Sequence, residues 1–580
     1  MDLWLAAVGQ PRPDKSTSAR TARTARTART ARTASARQVP PRVSLRAIRT
    51  DHEYDAVVIG SGMGGLAVAG KLSSAGASVL VLEKYIQPGG SASWFSREDE
   101  MGHWEWDVGS SMMFGLNPDS TNTTTNLITK ALESVGKSIP TVPDPSQVLY
   151  HLPNGLDVRV HRKYEDFIAE LVGKFPHEEE GIRKFYGDCW KVFNSLNSIE
   201  LKSLEEPRYL MQQFFKAPIA CLTLASFLGS NTGTLARKYI RDEELLRFID
   251  MECYIFSTVL AEETPTINAG MVFCDRHYGG INYPVGGVGK IPQLMAEGIQ
   301  ELGGDIEYKA NVKRILVNDE GRAHGVQLAD GRCVYGKTIV SNATRWDTFE
   351  GMLKDRELPE SEKSFREKYV KSPSFVSIHI GIREIDAICA KNGTDCHHIL
   401  LEDWGTMMDS LGTLFVSIPS LLDPSLCPDG THTFHCFSPS WMHEWEGLTG
   451  EAYLRKKDEV ATEIVRRLEA VFPGLSEAVI FREVATPRTH RKFLNRVDGT
   501  YGPVPSRRPF GMLGFPFNTT DVEGLYCTGD STFPGQGVNA VVFSGFGCAH
   551  RILVDLGMEE AWPAVDELFN AGLKAVRRAA

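Results

Sequence analysis

Apolar and polar positions change their period along this chain, and each change marks an element. Ala56-Val57-Val58-Ile59 is an unbroken β-branched run, as a strand buried on both faces requires. After a glycine-rich stretch the period becomes helical, with Leu66, Ala69 and Leu72 on one side and a stop at Gly76. Val79-Leu80-Val81-Leu82 is a second buried run, with Glu83 at its tip. A later block opens with a helix that places Ile291, Leu294, Met295 and Ile299 at helical spacing and stops at Gly303-Gly304. An edge strand from Asp305 to Tyr308, a hairpin of 312–317 and 325–328 around Glu320-Gly321, and a buried strand at 338–343 follow. A third block places a short strand before Gly529-Asp530, then an uncharged helix from Gly535 to Ala549.

Chemistry enters at the turns. Gly60-Ser61-Gly62-Met63-Gly64-Gly65 fits GxGxxG between a strand and a helix. Gly60 permits the tight turn, Gly62 admits backbone to a pyrophosphate, and Gly65 lets the helix pack closely on the strand. Unpaired N–H groups at the helix start favour phosphate, and Glu83 stands where it can accept from ribose hydroxyls. The combination predicts a dinucleotide site. Asp530, delivered to the carboxyl end of a strand, is placed to hydrogen-bond a polyol, and the helix start at Gly537-Val538 favours an electron-rich ring edge.

Charge and composition narrow the partners. A net charge of −10 and a pI near 5.9 argue against nucleic acid. Eleven cysteines without a CxxC fit thiols kept reduced and buried singly. Cys396-His397-His398 is the one tight cluster of metal-ligand types, but adjacent residues rarely face one ion and no second ligand pair is near in sequence, so no metal is expected. Ala217 to Ala236 carries no charge, yet its dense apolar part stops at Leu228, short of a span. It reads as a buried helix or as a membrane-dipping surface. Residues 1–50 are rich in Arg, Ser, Thr and Ala and hold only two acids. Arginines at every third position from Arg20 to Arg32 would spiral around a helix, so the stretch reads as an organelle transit peptide, or as a disordered tail.

The sequel to Glu83 carries a resemblance. Glu83-Lys84 followed by Gly89-Gly90-Ser91 resembles the second flavin-contacting segment of the amine oxidase and phytoene desaturase superfamily. The segments 107–115 (DVGSSMMFG), 283–291 (YPVGGVGKI), 340–347 (VSNATRWD), 489–494 (THRKFL) and 498–503 (DGTYGP), with GDS at 529–531 and FPGQGV at 533–538, resemble the carotenoid isomerase branch of the phytoene desaturase-like flavoproteins.

That resemblance implies FAD as cofactor and an α/β fold of amine oxidase-like architecture: a discontinuous Rossmann-type FAD-binding domain with an α+β substrate domain. The FAD domain is expected at 54–136, 283–344 and 521–565, the substrate domain at 137–282 and 345–520, and a tail at 566–580. The expected cofactor contacts are Gly60, Gly62, Gly65, Glu83, Lys84, Gly89, Gly90, Ser91, Val312, Gly529, Asp530, Gly537 and Val538. The implied reaction is non-redox conversion of poly-cis lycopene to all-trans lycopene with reduced flavin. The alternative is a desaturase, a retinol-saturase-like oxidoreductase or a paralogue acting on another carotenoid. The implied setting is a plastid, peripheral to its membrane. No acid–base residue is legible; Asp107, His490 and Asn539 are candidates by nearness alone, and Asn539 stands where an aliphatic residue is expected.

Overall fold

The computed structural model describes residues 52–109, 111–117, 125–389, 393–512 and 514–579. The transit-peptide expectation for residues 1–50 lies outside the described residues. Seven strands form the first sheet, in the order 312–317, 323–328, 333–341, 53–59, 79–82 and 305–307, with Leu525–Cys527 also pairing with Cys333–Ser341. The first strand, Glu53–Ile59, runs parallel to Val79–Leu82 on one side and to Cys333–Ser341 on the other. This central position explains its unbroken apolar run, since both faces are covered. Ala56 and Val58 enter one core, Val57 and Ile59 another.

Helix Met63–Ser74 follows the glycine turn directly, and Gly76 ends it with φ +88°. Helix Val538–Asp555 lies against it so closely that a Cβ at Gly545 would sit 2.6 Å from the Gly64 carbonyl oxygen. It runs six residues past the expected end at Ala549 and takes in His550, Arg551 and Asp555. Sequence-distant segments therefore meet over one sheet, and their glycines are the reason they can.

A second seven-stranded sheet has the order 479–485, 374–383, 431–440, 414–417, 397–400, 146–152 and 156–161. It is antiparallel except where His397–Leu400 runs parallel to Ser146–Leu152. Helix Gly450–Val471 covers one face through Val460, Ile464 and Leu468. The other face looks toward the carboxyl ends of the first sheet's strands, across a cavity of about 1350 Å³ that is lined from both sheets. The architecture is the expected α/β class with an α+β partner sheet.

Candidate functional site

Backbone conformation explains the glycine turn position by position. Gly60 has φ +93°, a region that an L side chain resists. A Cβ at Gly62 would come 2.8 Å from Asn342 Nδ2, and one at Gly65 would come 2.2 Å from the Gly60 carbonyl oxygen. Gly89 donates its N–H to the Ser61 carbonyl at 2.9 Å, which seats the second glycine pair on the first. Gly90 lies so close that its Cβ would touch the Gly62 Cα at 3.4 Å. The Glu83 carboxylate accepts from Ser61 N–H at 2.8 Å, Ser61 Oγ at 2.7 Å and Tyr85 N–H at 2.7 Å, so it is fixed at the strand tip before any ligand arrives.

Of the expected contacts, Gly60, Gly62, Glu83, Lys84, Gly89, Gly90, Ser91, Val312, Gly529, Asp530, Gly537 and Val538 all line the one cavity. Gly65 does not, and its part is packing. Lys84 Nζ is turned to Asn495 Oδ1 at 2.8 Å. Asp530 pairs with Arg496 at 2.5 Å, which holds the carboxylate at the wall. Gly529 and Gly537 both take positive φ, +94° and +99°. A Cβ at Gly529 would meet Asn342 Oδ1 at 2.8 Å, whereas at Gly537 nothing lies within 4 Å, so that position opens onto the cavity. Bare backbone on one wall, a fixed carboxylate at the strand tip and the start of a long helix fit a flat dinucleotide such as a flavin nucleotide.

The opposite wall is aromatic. Phe415 and Phe437 stack at 4.6 Å and 5° between planes, and His379 and His435 at 4.7 Å and 4°. All four line the cavity with Phe95, Phe375 and Tyr501. Burial holds His379 near a pKa of about 3 and pushes His435 well below the ordinary imidazole range. These rings are neutral at physiological pH and present π surface to the cavity.

The three acid–base candidates part company. Asp107 is turned away from the cavity: Tyr283 Oη and Val288 N–H each donate to its carboxyl at 3.0 Å, tying strand His103–Asp107 to strand Asn282–Pro284 and the turn after it. Burial raises it to about 7, opposed by those donors. His490 and Asn539 do line the cavity. Asn539 packs on Gly115, whose Cβ would lie 2.3 Å from Asn539 Oδ1, and φ +68° at Gly115 suits the missing side chain. An aliphatic residue would fill that space equally, so shape alone does not account for the amide.

Sequence reasoning missed two groups. Asp275 is buried on the cavity wall in helix Thr266–Tyr278, where Asn268, Met271, Val272 and Asp275 share one face at helical spacing. That spacing was the available signal, hidden beside Arg276 and His277. The other group lies beside Cys396 and His397. Asp144, distant in sequence, brings its carboxyl within 4.8 Å of both ligand atoms. His397 Nδ1 contacts Ser417 Oγ at 2.8 Å, while His398 turns to the other face and meets His151 at 3.1 Å. All eleven cysteines are free thiols.

The buried-helix reading of Ala217 to Ala236 is also corrected. The stretch holds two helices, Pro218–Phe227 and Thr232–Tyr239, and no residue of the first is buried. Ile219 is 76% exposed and Leu222 61%, beside Phe215 at 75% on helix Pro207–Lys216 and Leu568 at 78% on helix Pro563–Ala579. The inner sides of the same three helices line the cavity through Leu210, Leu224 and Phe569. The exposed apolar surface of these helices thus backs the part of the cavity wall that they line. Among the described residues no helix is long and apolar enough to cross a membrane.

Residues 63–553 match the family described as flavin containing amine oxidoreductase. Prolycopene isomerase, chloroplastic, of Arabidopsis thaliana is 58% identical over 515 residues, covering 88% of this chain and 85% of that protein. Prolycopene isomerase, chloroplastic, of Daucus carota is 55% identical, covering 89% of this chain and 82% of that protein. Among solved structures, an oxidoreductase from Methanosarcina mazei superposes with TM-score 0.55 at 19% identity, over 84% of this chain and 98% of that one, a likeness of fold.

Proposed function

We infer, for a chain that belongs to the flavin-containing amine oxidoreductase family and within it to the prolycopene isomerases, that it binds FAD and converts poly-cis lycopene to all-trans lycopene. The observation that carries the reading is the single cavity with two unlike walls: bare glycine backbone with fixed carboxylates on one side, stacked neutral aromatic rings on the other. When bound, reduced flavin supplies an electron-rich face that lowers the double-bond order of an adjacent polyene.

The chain's own residues do the rest. Gly60, Gly62, Gly89 and Gly90 would admit the pyrophosphate and ring to backbone. Glu83, held by Ser61, would accept from the adenosine ribose, which FMN lacks. Gly529 and Asp530 would hold the ribityl chain. Gly537 and Val538 open a helix whose positive end offsets negative charge at the pyrimidine edge, an effect of about 0.3–2 kcal/mol. Phe415, Phe437, His379 and His435 hold the polyene flat and exclude water.

The relatives' printed names support a plastid setting, and the exposed apolar surface of these helices supports peripheral contact with a membrane that holds the hydrocarbon substrate. The test is anaerobic incubation of photoreduced protein with tetra-cis-lycopene, with flavin absorbance followed and geometric isomers separated. All-trans product with the flavin still reduced is expected. One flavin oxidised per product would reassign the protein to the saturases, and FMN released on heating would refute the cofactor.

A further inference from the structure

The isomerase reading assigns no acid–base group, and the cavity wall holds a carboxyl suited to be one. Asp275 is 2% exposed, lines the cavity, and its Oδ2 has no hydrogen-bond partner. Its carboxyl accepts from the Gly115 N–H. The neighbouring Arg276 gives it no charge, because both of its terminal nitrogens are spent on Glu252, at 2.9 and 2.6 Å. Asn539 packs on the same glycine, and its Oδ1 is likewise buried without a partner. Two orphaned oxygens beside one glycine are costly unless something in the cavity uses them. Burial, opposed only by the Gly115 N–H, raises Asp275 to about 7, so near neutrality the carboxyl both holds and releases a proton.

Resting on the isomerase reading, we propose that Asp275 is the acid–base residue of double-bond isomerisation. The Asp275 O–H gives its proton to a polyene carbon, and the π pair of that double bond becomes the new C–H bond. Positive charge spreads along the remaining conjugation, and the former double bond rotates as a single bond. The Asp275 carboxylate then removes a proton from the same carbon, and that C–H pair re-forms the double bond in the trans geometry. Nothing is oxidised or reduced, and the carboxyl ends as it began.

The experiment runs reduced holoenzyme with tetra-cis-lycopene in D2O, reading isomers by chromatography and deuterium by mass. Wild type is expected to form all-trans product carrying vinylic deuterium, because the exchanged carboxyl delivers a deuteron and the carbon then sheds its original proton more readily. Asp275→Asn is expected to keep the flavin spectrum and lose isomerisation by about 100-fold or more, the usual contribution of a general acid–base group. Asp275→Glu keeps the carboxyl and is expected to recover part of the rate and the label, which a merely structural role would not restore. Asp275→Asn isomerising at the wild-type rate, or wild-type product free of deuterium, would overturn this proposal while leaving the isomerase reading intact. Wild-type protein that forms no all-trans product would overturn both.

Discussion

A methyl group at Gly65 would lie 2.2 Å from the Gly60 oxygen, whereas one at Gly537 would meet nothing within 4 Å. The two glycines therefore fail differently. Gly65→Ala forces the first helix off the strand turn, and overpacking of this kind costs about 1–3 kcal/mol. It is expected to lower the melting temperature of the protein even with flavin removed. Gly537→Val strains a residue at φ +99° and places its side chain in the cavity. It is expected to cut bound flavin severely while the apoprotein melts within a few degrees of wild type. Equal melting losses in both variants would show that Gly537, too, acts through packing. Glu83→Arg loses the acceptor fixed by Ser61 and adds positive charge, so cofactor retention on gel filtration is expected to vanish.

At the scale of elements, helix Pro218–Phe227 carries the clearest prediction. Ile219 and Leu222 face outward beside Phe215, and burying one such side chain in lipid contributes about 1.5–3 kcal/mol. The double variant Ile219→Glu, Leu222→Glu is expected to stop co-sedimenting with vesicles of plastid-type lipid and to keep its flavin and melting temperature. Co-sedimentation at the wild-type level would place the membrane contact elsewhere. This helix also marks a limit of the sequence. Lack of charge distinguishes water from oil, but not a protein core from a lipid surface, so the same pattern supported both readings. The first sheet was legible because its strands are buried on both faces and read as unbroken apolar runs with glycine punctuation. The second sheet was not. Its strands put His379, His435, Ser417 and His397 in one cross-strand row, and a polar residue inside a strand looks like surface until its neighbours are known. Asp144 and Asp275 were hidden for the same reason, since their settings are made by segments far away in the chain.

The whole molecule keeps a set of buried histidines neutral, and this dictates how stability varies with pH. Burial holds His379, His397 and His398 near a pKa of about 3, and His435 well below its ordinary value, against about 6.5 in an unfolded chain. Below pH 6.5 the unfolded state takes up protons there that the folded state refuses, so this contribution is lost as pH falls toward 3. Buried carboxyls act with the opposite sign. Asp107, Asp144 and Asp275 rise from 3.8 to about 7 and Glu206 from 4.5 to about 7, so the folded state holds extra protons and their contribution is lost as pH rises through that window. The two sets overlap between pH 4 and 6.5, where these four imidazoles, with His277 near 3 and His490 and His550 near 4, oppose four carboxyls. Up to about three protons net favour the unfolded state, and each is worth about 1.4 kcal/mol per pH unit. Unfolding free energies from urea titrations are therefore expected to fall from pH 6.5 to pH 5, at a slope of about 1–4 kcal/mol per unit. Asp144→Asn removes a carboxyl that holds a proton only when folded, so it is expected to steepen that fall, while His398→Phe removes an opposing imidazole and is expected to flatten it. A protein more stable at pH 5 than at pH 6.5 would mean that the carboxyls, not the histidines, govern its response to acid.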